Sequence, residues 1–279
     1  MTQLQNKGYK PLNSLSPAEL SELTASGTRR DFLGVPIDCL TFADTIAMAD
    51  QAIQNRRICQ HVCINVAKFV AMRANTELDR DVRSSHIVSV DGMGIVWAAR
   101  ALGIAVPERV AGVDIMNGVI RLCAAKGYRP FLLGARPHVL RNSIVNIRNR
   151  YPRLELAGSR DGYFLPEEEE EVSATIRASR ADCLFIGMPT PRKERFLARH
   201  RHDLDVPFIM GVGGALDVLA GYVRRAPRLV QELGLEWLFR TVQEPLRLGP
   251  RYVLSNTVFA AIVSRALLLR LLSRRRVSL

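Results

Sequence analysis

The 279-residue chain has few of the features that organise secreted or metal-held proteins. Its five cysteines, Cys39, Cys59, Cys63, Cys123 and Cys183, are odd in number, scattered and without a C-x-x-C pair. That excludes a disulfide framework or a zinc site as the organising device and fits a reducing cytoplasm. The histidines, at 61, 86, 138, 200 and 202, show no metal-ligand spacing beside suitable partners, and no metal is expected. The stretch MTQLQNKGYKPLNSLSPAEL has no basic segment followed by an apolar core, so no signal peptide and no secretion are expected. No G-x-G-x-x-G is present, and neither GVGGALDVLAG (211–221) nor GARPHVL (134–140) has the dinucleotide spacing. No internal repeat of useful length is found.

What is present is alternation. At 48% hydrophobic the chain can bury one large core. Apolar, β-rich runs at 33–37, 61–65, 86–90, 130–134, 153–157, 182–187 and 206–212 are separated by amphipathic segments of helix length. Strand then helix, repeated, predicts a Rossmann-like α/β fold, a mostly parallel sheet with helices on both faces. Glycines end the strands, among them Gly134, Gly158, Gly187 and Gly211. The acidic run Glu167–Glu171 after Pro166 reads as a helix start, where carboxylates favour the helix dipole. Three segments are expected: a flexible leader (1–30), a catalytic α/β domain (31–239) and a basic amphipathic helical appendage (240–279).

The net charge of +12 is unevenly placed. From Arg240 onward eight arginines face one acid, Glu244, and are interleaved with VLSNTVFAAIVSRALLLRLL. Basic residues spaced through a Leu/Val/Ile helix fit a membrane surface better than nucleic acid. Arg265 and Arg270 interrupt a stretch of roughly 20 residues, which disfavours a spanning helix. The competing reading is a core-packing helix with a solvated arginine face.

Candidate chemistry gathers where strands end. In HIVSVDGMGIVWAARALG (86–103) the strand breaks into Asp91 and glycines, and HVCIN ends on Asn65. Ligands of open α/β sheets bind beyond the carboxyl ends of the strands, where both residues fall. A carboxylate there is a general base, a ribose-binding group or the N-cap of the following helix. Gly213 and Gly214, with Asp217 close behind, open a helix after a strand, a context in which backbone N–H groups cradle a diphosphate. The D-x-D of Asp203 and Asp205 precedes a strand and reads as structural.

In order along the chain stand INVAKFVAMR, SVDGMGIVWAARALG, PERVAGVDI, PFLLGARP, GSRDGYF, IGMPTPRKERFL, GVGGALDVLAGYVRRAPRLVQELGLEWLFR and EPLRLGPRY. Through these motifs residues 32–252 resemble the WecG/TagA/CpsF glycosyltransferase family. The resemblance implies an inverting, metal-independent transferase with no cofactor. It moves a sugar from a nucleotide donor, usually a UDP sugar, to a polyprenyl-diphosphate-linked acceptor in cell-surface or exopolysaccharide synthesis, and a C-terminal appendage brings it to the inner face of the cell membrane. Asp91 matches the family's proposed base, and Asn65 the asparagine of its T-x-N element, with Cys63 in the threonine's place. Arg109 and Asp114 match a recurrent segment, Arg109 as a holder of phosphate.

The family's P-K-Q-E reads Pro191-Arg192-Lys193-Glu194 here, so Lys193 suits an acidic sugar or the diphosphate, with Glu194 orienting it. Arg225, Arg240, Arg247 and Arg251 are candidates to neutralise donor or acceptor diphosphate, while Arg265, Arg270, Arg274, Arg275 and Arg276 are expected at lipid headgroups. Trp237 in GLEWLFR can stack on a ring, but reads first as a buried aromatic of a helix face. The apolar basic tail can also pack on a second copy of the chain. Two rivals remain open: a nucleotide-cofactor oxidoreductase, disfavoured by the missing fingerprint, and a non-enzymatic membrane scaffold of a polysaccharide assembly complex.

Overall fold

Buried strands with apolar residues on both sides build the sheet. In β7 (Cys183–Gly187), Leu184 and Ile186 enter one core and Cys183 and Phe185 the other. A strand covered on both faces is what a parallel sheet between helix layers requires. The computed structural model describes residues 28–277, with side chains as far as Ser273. Most of the expected leader, and the side chains of Arg274, Arg275 and Arg276, lie outside the described residues.

Six strands form the main sheet: β3 (Cys59–Ile64), β4 (Ile87–Val90), β5 (Pro130–Gly134), β6 (Gly158–Arg160), β7 and β8 (Phe208–Gly211). Their order is β4-β3-β8-β7-β5-β6, and every pairing is parallel. One face carries α1 (Phe42–Gln54), α5 (Gly112–Lys126), α6 (Pro137–Arg150) and α9 (Ala215–Leu219). The other carries α2 (Val66–Ala74), α3 (Thr76–Arg83), α4 (Met93–Ala101), α7 (Glu169–Ala178) and α8 (Arg192–His200). The expected fold class is the observed one.

Two expectations about strands are corrected. The run 153–157 is irregular and the strand lies just beyond it, at β6; Ala157 N–H bonds the Pro130 carbonyl and leads the chain into register. The leader boundary at residue 30 falls inside β1 (Arg29–Phe32), which pairs antiparallel with β2 (Val35–Asp38). Leu33 and Gly34 turn this hairpin with φ of 53° and 82°, the two left-handed residues that a tight two-residue turn needs.

The hairpin covers the open edge of β4. Asp38 accepts the Val88 N–H at 2.7 Å, and Arg29 donates to the carbonyls of Ser85 and His86 while pairing with Asp38. Edge groups that would otherwise face water, or another chain, are thereby satisfied.

The C-terminal segment is three helices, α10 (Arg228–Glu232), α11 (Glu236–Gln243) and α12 (Pro245–Val277). The boundary expected at 239 falls inside α11. Along α12 the less exposed positions recur at Tyr252, Ser255, Asn256, Phe259, Ile262, Val263 and Ala266, the spacing of one helical face. That face packs on α2. Phe259 is 8% exposed and meets Phe32 and Phe69 at ring centroids of 6.3 and 5.3 Å.

Candidate active site

A cleft of about 890 Å³ opens at the carboxyl ends of β3, β4, β7 and β8, and α11 and α12 close it from above. It brings together Cys63, Asn65, Asp91, Arg109, Lys193, Gly213, Gly214, Asp217, Arg240, Arg247 and Arg251. These come from strand ends and from the far C-terminal helices, so only the fold unites them.

Asp91 does not cap its own helix. The N-cap of α4 is Gly92, without a side-chain cap bond. The Asp91 carboxylate turns instead to the first turn of α5, where the Gly112 N–H reaches it; a Cβ on Gly112 would stand 3.6 Å from Asp91 Oδ2 and 3.0 Å from Cys63 Sγ. Glycine permits this approach and the helix N-terminus favours a negative charge there. Burial nevertheless raises the carboxyl from its ordinary 3.8 to about 6; Arg109 and Arg240 pull it down and Glu236 pushes it up. The group is therefore balanced to exchange a proton near neutral pH.

Asn65 spends its side-chain oxygen on the backbone. It is the N-cap of α2, Oδ1 accepting from Lys68 N at 2.9 Å, which fixes the cleft wall and leaves its amide as the available donor. Cys63 stands 3.6 Å from Ser89 Oγ, which in turn bonds His61 Nε2 at 2.8 Å. Burial, then Asp91, pushes the Cys63 thiol up to about 12, so it is no nucleophile.

Below the cleft a single carboxylate joins two ammonium groups. Glu194, 3% exposed, lies 2.8 Å from Lys68 Nζ and 3.0 Å from Lys193 Nζ, and Lys193 donates to Thr190 Oγ1 at 2.6 Å. Burial opposes the charge on Glu194, but the two lysines overcome it and hold the carboxyl down at about 2. Burial and the repulsion of Lys68 lower Lys193 to about 8. Glu194 thus contacts Lys193 within a buried cluster that also includes Lys68.

Five sequence-named residues stand elsewhere. Arg225 grips Asp114 through a bidentate fork of 2.5 and 2.6 Å, and both line a second cavity of about 560 Å³ behind Arg109, not the main cleft. Arg270 donates to the Ala101 carbonyl at 3.1 Å and packs on Gly103, so it caps the end of α4 rather than facing lipid. Arg265 is exposed. Asp205 lies near Arg56, at 3.8 Å, in the turn preceding β8.

The expectation for Trp237 is also corrected. It is 38% exposed, lines the cleft and leans on Tyr252 at a centroid distance of 5.9 Å. Residues not singled out from sequence join it: Lys68, Trp97, Tyr163 and Glu236. Glu236 bonds Arg109 at 2.9 Å and Arg240 at 3.2 Å. Its place inside the quoted GLEWLFR motif was the available signal. Among the described residues no three His, Cys, Asp or Glu side chains converge on a metal-sized site. The profile of the Glycosyl transferase WecG/TagA/CpsF family matches residues 30–273, nearly the whole chain.

Proposed function

We propose, for a chain that belongs to the WecG/TagA/CpsF glycosyltransferase family, transfer of a sugar from a UDP donor to a polyprenyl-diphosphate-linked acceptor, with inversion and without a metal. The protein is a glycosyltransferase of cell-surface polysaccharide synthesis. In the proposed step the acceptor hydroxyl oxygen forms a bond to C1 of the donor sugar on the face opposite the diphosphate. The bond from C1 to the phosphate oxygen breaks, UDP leaves with the electron pair, and the hydroxyl proton passes to Asp91. A base positioned in this way is worth about 10²–10⁴ in rate.

The observation that carries this reading is the pairing, in one cleft, of the Asp91 carboxylate with a basic wall from α11 and α12. Arg240, Arg247 and Arg251 line that wall, where a departing diphosphate needs positive charge. Lys193 adds a cation from the opposite side.

The same helix supports recruitment to a membrane surface. Pro245–Ser273 is long and apolar enough to cross a bilayer by length and composition. Its docked face and the arginines within it favour lying on the bilayer instead. Leu254, Leu268, Leu269, Leu271 and Leu272 are half or more exposed, with Arg265 beside them, which suits an anionic inner leaflet.

The test is UDP release across a panel of UDP sugars, with and without polyprenyl-diphosphate-GlcNAc. Acceptor-dependent release that Asp91→Asn lowers by about a hundredfold or more supports the reading. Full activity in a folded Asp91→Asn protein would remove Asp91 as base. Silence with every UDP sugar would remove the donor class.

A further inference from the structure

We propose that Glu236 is a positioning residue of the transfer site, acting through Arg109 on the charge that Asp91 meets. The inference rests on the reading of Asp91 as the base and adds a residue and a function to it.

Glu236 is 13% exposed and both of its oxygens are used. Oε2 binds Arg109 at 2.9 Å and Oε1 binds Arg240 at 3.2 Å, one turn along its own helix. The second Arg109 nitrogen reaches Gln231 Oε1 at 3.3 Å, so the guanidinium is held in a fork by α10 and α11 together. A carboxylate bridging two guanidiniums is far more fixed than an exposed ion pair. The turn between those two helices leaves no slack: at Gly234, φ is +68° and a Cβ would stand 2.6 Å from the Trp97 ring.

The charged groups facing Asp91 come from several elements. Arg109 arrives from the loop before α5, and Glu236 and Arg240 from α11. Cys63 stands at the end of β3, and Arg225 in the segment before α10 also senses both carboxylates. Glu236 thus has two opposed effects. Its own charge hinders ionisation of Asp91, while the arginine it holds in place favours it. With Glu236 neutral, the repulsion is gone while Gln231 still holds Arg109 in the cleft, so Asp91 ionises more readily. With Arg109 neutral, the attraction is gone and the repulsion stays, so Asp91 ionises less readily. A role for Glu236 confined to anchoring its helix would predict no change of the midpoint in the Glu236 variant.

The experiment is a carboxyl ¹³C titration of the full-length protein labelled at aspartate, Asp91 being assigned by the resonance missing in Asp91→Asn. Glu236→Gln is expected to move the Asp91 midpoint down and Arg109→Gln to move it up, each by about half a pH unit or more. The acid limb of kcat/KM should follow in the same directions. An unmoved midpoint in Glu236→Gln, or shifts of the same sign in both variants, would overturn the inference. Should Glu236→Gln fail to fold, Glu236→Asp keeps the charge. It is expected to raise the midpoint, since the repulsion stays while Arg109 is no longer held at the same place, and an unmoved or lowered midpoint there would overturn the inference. The titration needs no substrate, so absence of transfer in the wild type would sink the functional reading and not this one.

Discussion

At the scale of single residues, the burial that raises the Asp91 carboxyl carries a cost in stability. Its carboxyl titrates near 6 in the fold against 3.8 when exposed, so between those values the folded state holds the proton more tightly than the unfolded chain. Stability from this group is therefore lost as pH rises through that window. Asp91→Asn should be the more stable protein at pH 7.5, by about 1–3 kcal/mol. The gain should shrink as pH falls through 6 and vanish near 4, as followed by urea unfolding at several pH values. Sequence made this residue legible, since a carboxylate at a strand end stands at the ligand edge. It could not decide between capping and a further role, because that depends on α5 arriving from 21 residues away in the chain to place Gly112 beside it. Asn65 shows the converse: the residue type was right for the site, and its side-chain oxygen is committed to a helix cap.

Among elements, α12 departs furthest from the sequence expectation. The sequence reads it as a basic amphipathic appendage to the α/β domain. Phe259 instead completes an aromatic cluster with Phe32 and Phe69, and Arg270 closes the end of α4. Phe259→Ala should cost about 3–5 kcal/mol in urea unfolding. Removal of everything after Tyr252 should cost at least as much, and a truncated chain as stable as the intact one would refute the packing. The reason sequence left this contact open is physical. Helical periodicity shows that a face is apolar, not what covers it, and α12 is apolar on both faces. The strands fared better because burial on two sides leaves a continuous apolar run that needs no partner to be recognised. Residues 153–157 misled because an apolar alternation there continues through Leu154 and Leu156, which pack on the core outside any strand.

For the molecule as a whole, the basic wall of the cleft and an outward row of leucines share one helix. The cleft-facing residues Arg247 and Arg251 and the outward leucines lie on α12, so under the proposed recruitment contact with a bilayer would bear directly on the wall of the cleft. Leu268→Glu combined with Leu272→Glu should lower co-sedimentation with phosphatidylglycerol vesicles about tenfold or more. Unfolding in urea should hardly change, since both side chains are at least half exposed. Undiminished sedimentation would count against the surface role of that face.

The meeting of Phe32 with Phe259 has a consequence for how the chain is made. The hairpin emerges early from the ribosome and cannot complete its aromatic contact until α12 has been synthesised. At about 5–20 residues per second that interval is on the order of ten seconds to a minute. Until then Phe32 and Phe69 lack the ring that covers them, and a nascent chain stalled before residue 259 is the form of this protein that a holdase chaperone should recognise best.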